Sequence, residues 1–85
     1  MSSVSAPALS DQILEFIRRE LGVEDDLTPE TPLVTNGLID SVGLMRLAAF
    51  IEQVSDITIP DQDVNAGHFD TVRQIESYVR GRASA

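Results

Sequence analysis

The chain contains no cysteine, no tryptophan and no lysine. Without thiols it has neither a disulfide framework nor a thiolate metal site, so its 85 residues must be held by one small apolar core. All six basic residues are arginines, set against fourteen Asp and Glu, for a net charge of −8 at pH 7. Counterion release works against such a chain on nucleic acid, and the same sign repels an anionic lipid surface. Partners with basic protein surfaces are expected instead, and neither nucleic acid nor membrane. No apolar run approaches the length of a membrane span. The opening MSSVSAPALS has no basic cluster ahead of an apolar run, so a frayed tail is expected there in place of a signal peptide, on a cytoplasmic protein.

What is present is helical periodicity. Ser10 is placed to cap a first helix in which Asp11 occupies the first turn and Ile13, Leu14, Ile17 and Leu21 recur at helical spacing, with Gly22 ending it. Residues 23–36 read as a long polar loop with Glu24-Asp25-Asp26, Pro29 and Pro32. A second helix is predicted from near Ser41 to about Val54. Leu44, Leu47, Ala48, Ile51 and Val54 form its buried stripe, while Val42, Met45 and Ala49 fall on another face. Ile57-Thr58-Ile59 alternates, but it is short and backed by Pro60, which favours extended loop over strand. A short helical turn is predicted from Asp61 to Ala66. Asp70 then caps a last helix with Val72, Ile75 and Val79 inward, ended by Gly81. The expectation is an all-α fold: a small four-helix bundle, three main helices and one short, with a long first loop. Its domain spans 10–82, between tails at 1–9 and 83–85.

Three chemistries compete for the polar residues. A hydrolase serine needs a base, an orienting group and an oxyanion hole. Around Ser41 the elbow pattern is incomplete, with Ile39 where one glycine belongs and only Gly43 in place, and the single histidine, His68, lies far along the chain. Asp61-Gln62-Asp63-Val64-Asn65 opens like a calcium loop, yet Ala66 replaces the required glycine and Val72 the bidentate Glu, so no metal site is expected. The third possibility is a serine held for modification. At a helix start, free N–H groups and the positive dipole end stabilise an attached phosphate. A plain helix-capping role for Ser41 accounts for the same position.

The stretch Gly37-Leu38-Ile39-Asp40-Ser41-Val42-Gly43-Leu44-Met45-Arg46-Leu47 resembles the attachment motif of acyl and peptidyl carrier proteins. Thr31-Pro32-Leu33 before it, Ile57-Thr58-Ile59-Pro60 after it and Phe69-Asp70-Thr71-Val72 beyond fall in that family's order, and the likeness covers roughly 10–82. The resemblance implies an acyl-carrier-like fold and a covalent 4'-phosphopantetheine on Ser41, beside Asp40. A phosphopantetheinyl transferase installs it, and the arm then holds an acyl or aminoacyl group as a thioester. The carrier itself is non-catalytic. Implied partners are that transferase, a loading (adenylating) enzyme, and a downstream synthase, transferase or tailoring enzyme, with the carrier a monomer. The run from Val42 to Gln53 offers Arg46 and only Glu52 where fatty-acid carriers show several acids. That departure leans toward a freestanding aminoacyl or peptidyl carrier of a specialised, nonribosomal peptide-like pathway. A polyketide or fatty-acid type carrier is the alternative, and an unmodified adaptor on the same fold a third. Val42, Met45 and Ala49, flanked by Arg46, either pack on the first loop or form an exposed strip on which partner enzymes dock.

Overall fold

The computed structural model describes residues 8–83. Among them are four helices and no strand: α1 (Leu9–Glu20), α2 (Ser41–Ser55), α3 (Ala66–Phe69) and α4 (Val72–Ala83), with a 3-10 turn at Asp61–Asp63. The all-α bundle expected from the periodicity is therefore the fold. α1 packs on both α2 and α4, and α3 on α4. Ile13 and Ile17 of α1, Leu47 and Ile51 of α2, Phe69 of α3, and Val72 and Ile75 of α4 are fully buried in one core. No helix among the described residues is long and apolar enough to cross a membrane.

Four boundaries differ from the expectation. α1 begins at Leu9, so Ser10 lies inside it; the cap position is Ala8, which offers no side-chain acceptor. The segment 61–66 divides into the 3-10 turn and a separate α3, because the side chain of Asn65 accepts from Gly67 N at 2.8 Å and starts a new helix there. α4 is capped by Thr71 and not by Asp70: Gln74 N donates to Thr71 Oγ1 at 3.0 Å, and Gln74 Oε1 accepts from the amides of Asp70 and Thr71. This is a capping box with Gln at the third position. α4 also runs through Gly81 to Ala83; that glycine faces open space and has no left-handed backbone to end a helix. Gly22, by contrast, has φ +70 just beyond α1, as a terminating glycine should. Of the expected tails, residues 1–7 and 84–85 lie outside the described residues, and Leu9 and Ala83 are helical.

The first loop is polar in composition but not in function. Val23, Leu27, Leu33 and Ile39 are buried, so the chain between α1 and α2 forms one wall of the core. Asp70 holds that wall in place. Its Oδ1 accepts from the amides of Val34 and Thr35, both at 2.9 Å, and its Oδ2 accepts from Thr35 Oγ1 at 2.7 Å. Leu33 N donates to the Asp70 carbonyl and Arg73 N to the Pro29 carbonyl, and Arg73 pairs with Glu30.

Burial alone would raise the Asp70 pKa, but the donors from Thr35 and Val34 outweigh it and hold the carboxyl below its ordinary value of 3.8. Because the folded pKa is depressed, the carboxylate's contribution is complete above that ordinary value and is lost as pH falls through the folded one. Asp70→Asn should therefore lower the melting temperature at neutral pH, and the gap to wild type should narrow as pH falls below the ordinary value of 3.8. Thermal melts of both proteins across that range check it; parallel curves at all pH values would remove the clamp.

Candidate functional site

Asp40 and Ser41 meet where the first loop turns into α2. Gly37, at φ +72, makes the preceding turn by donating its amide to the Val34 carbonyl at 2.9 Å. Leu38 N and Ile39 N both donate to the Leu33 carbonyl, and Ile39 is buried, which fixes the chain direction entering α2. Asp40 is the cap: its Oδ1 accepts from Gly43 N at 2.8 Å. Ser41 is the first helical residue, exposed, and its hydroxyl makes no hydrogen bond among the described residues. Capping thus falls to Asp40 and leaves the Ser41 Oγ free.

Gly43 has a packing reason to be glycine. It is buried, and a Cβ there would lie 3.3 Å from Asp40 Oδ1 and 3.7 Å from a Leu21 methyl. Any larger residue would press on the capping carboxylate.

Beside Ser41 a groove of about 460 Å³ follows α2 past Leu44 and Ala48 to Glu52, with Ile59 and Val64 on the opposite wall. Met45 and Ala49 also line it. Leu47 is fully buried and Phe50 stacks on Phe16 at 4.4 Å, so neither contributes. Glu52 closes the far end. Its Oε2 accepts from Ile59 N at 2.7 Å and ties the extended 57–60 segment to α2. α2 itself ends on Asp56, whose left-handed backbone (φ 55) returns its N–H to the Glu52 carbonyl.

The outer face of α2 presents Val42 and Met45 at 66% and 63% exposure, with Ala49 exposed on the same face. Val42 also lines a shallow cavity with Gly37 and Leu38 of the first loop. Val54, expected in the buried stripe, lies in the last turn of α2 and is 41% exposed. Arg46 is exposed but engaged: it donates to the Glu20 carbonyl at 3.2 Å and lies 3.9 Å from the Glu20 carboxylate, a cation at the C-terminal end of α1.

The competing residues are committed elsewhere. Asp63 accepts from the Tyr78 hydroxyl at 2.6 Å and lies 4.0 Å from Arg82. Burial, with that hydrogen bond, pushes the Tyr78 phenol above its ordinary value. No group of three or more His, Asp or Glu that could hold a metal occurs among the described residues. His68 packs beside Tyr78, with ring centroids 5.2 Å apart, and does not line the groove at Ser41.

The start of α2 thus presents an exposed, unbonded serine hydroxyl beside an open groove in a small helical bundle. Comparison with known proteins gives the family. Residues 11–79 match the phosphopantetheine attachment site family. The chain is 30% identical over 79 residues to an acyl carrier protein of Syntrophobacter fumaroxidans, covering 92% of this chain and 95% of that one. It is also 30% identical over 59 residues to the probable acyl carrier protein PigG of a Serratia species, covering 69% and 68%. The chain belongs to the phosphopantetheine-attachment family of carrier proteins. A 4'-phosphopantetheine group supplies a thiol on a long arm, and the residues at the start of α2 fit it. The Ser41 hydroxyl is accessible, the first-turn amides of Ser41 and Val42 have no intrahelical acceptor, and the helix dipole favours a negative group there.

Proposed function

We propose that Ser41 is the attachment residue and that the chain carries an aminoacyl or acyl group as a thioester on its arm. The observation that carries this reading is the division of labour at the start of α2: Asp40 takes the capping duty and leaves the Ser41 hydroxyl exposed and unbonded. In the transfer from coenzyme A, the Ser41 oxygen forms the new bond to phosphorus and the bond to the adenosine bisphosphate leaving group breaks. The serine proton passes to a base of the transferase, which brings its own divalent cation. The carrier contributes position and a favourable field, and no chemistry of its own. Val42, Met45 and Ala49, with Arg46 on the flank, are the face on which the enzymes dock, in a cytoplasmic setting.

The cargo reading that we favour is aminoacyl, supplied by an adenylating enzyme of a nonribosomal peptide-like pathway. Its support is that Glu52, the one acid of α2, is used internally to hold Ile59, so the helix offers no acidic docking row. A polyketide or fatty-acid type of carrier is the second reading, favoured by relatives that are named acyl carrier proteins. The test is stepwise loading followed by intact mass. Coenzyme A and a broad-specificity transferase should add one phosphopantetheine, and an adenylating enzyme with its amino acid should then add one aminoacyl mass that hydroxylamine removes. A chain that takes no arm would instead be an unmodified adaptor. Loading only from acyl donors would favour the second reading.

A further inference from the structure

The groove beside Ser41 carries charge that its apolar floor does not require. Its lining includes two carboxylates, Glu52 and Asp61, and no arginine. Glu52 gives one oxygen, Oε2, to Ile59 N. None of the ion pairs among the described residues involves Glu52 or Asp61; those pairs join Arg19 to Glu15, Arg46 to Glu20, Arg73 to Glu30 and Arg82 to Asp63. The site is within a tether's reach, since Glu52 lies three turns along α2 from Ser41, roughly 16 Å at 1.5 Å per residue.

We propose that this groove receives the protonated amine of an aminoacyl group on the arm, with Glu52 and Asp61 as its charged contacts. The inference rests on attachment at Ser41 and names the cargo class for it. Leu44, Ala48 and Val64 offer apolar surface to the cargo's side chain, while the two carboxylates of the lining attract the ammonium. A carboxylate-bearing acyl group meets like charge there, on a chain already at −8. A neutral acyl group gains only the apolar contact.

The full chain is loaded by a transferase from amide-linked coenzyme A analogues bearing valyl, isovaleryl or succinyl groups. Peptide mapping locates the arm, and amide NMR then reads the groove. Valyl and isovaleryl differ by the amine alone. Valyl is expected to shift the Ala48, Ile59 and Val64 amides most and succinyl least, and Glu52→Gln with Asp61→Asn should reduce the population of the valyl-bound state roughly 2- to 5-fold, the range that one exposed ion pair supports. Gln still offers Ile59 N an acceptor, and Asp61→Asn alone leaves the Glu52 tie untouched, so a folded variant is available. Equal shifts from all three groups, no shift from any, or a valyl shift that survives both substitutions would overturn the proposal and leave attachment standing. An arm mapped away from Ser41 would instead overturn the carrier reading on which it rests.

Discussion

Ile51→Ala should destabilise the domain by about 2–5 kcal/mol, with a lower denaturant midpoint and an unchanged slope. Ile51 is fully buried, one turn from the equally buried Leu47, and it faces a core shared by α1, α3 and α4. Removing its branched side chain loses the transfer free energy and leaves a cavity that three converging helices cannot close without moving. A domain of this size has a total stability of roughly 4–13 kcal/mol. The same substitution at Met45, on an exposed flank of the helix, should stay within about 0.5 kcal/mol. Equal midpoints for Ile51→Ala and wild type would mean that α2 turns a different face to the core.

Met45→Glu should leave the fold intact and cut loading by a cognate enzyme roughly 5- to 30-fold, which is one to two kcal/mol of docking energy. Met45 is 63% exposed and sits between Val42 and Ala49, on the lip of the groove beside Ser41. Its flexible thioether adapts to different partner surfaces. Glutamate at this point removes the apolar contact and adds a charge that the partner's apolar patch must desolvate. Met45→Ala should cost less, since it removes area without adding charge. Steady-state loading and thermal melts, measured on the same samples, separate the outcomes. Loading that is unaffected by Met45→Glu would move the docking face elsewhere.

The helical core was legible because it repeats. Ile13, Leu14 and Ile17, then Leu44, Leu47 and Ile51, then Val72, Ile75 and Val79 keep helical spacing, and each set is buried. The first loop was not legible, because Val23, Leu27, Leu33 and Ile39 follow no period and are buried by the path of the backbone. Asp70 illustrates a choice that local chemistry cannot make. Asp70 and Thr71 are both good cap residues; Thr71 wins because Gln74 completes its box, and Asp70 is then free to hold residues far away at Val34 and Thr35. Glu52 looked like a surface acid and proves to be a strut to Ile59, a contact across a loop that no helical spacing reveals. At the site, Asp40-Ser41 stood out in the sequence, but which of the two caps α2 required the geometry of Gly43 N.

Peptide-level mass spectrometry after incubation with coenzyme A and a transferase tests attachment most directly. The reading predicts one phosphopantetheine, located on Ser41, and none on a Ser41→Ala chain that keeps its helical circular dichroism. An arm on any other residue, or a Ser41→Ala chain that still gains the full mass, would contradict it.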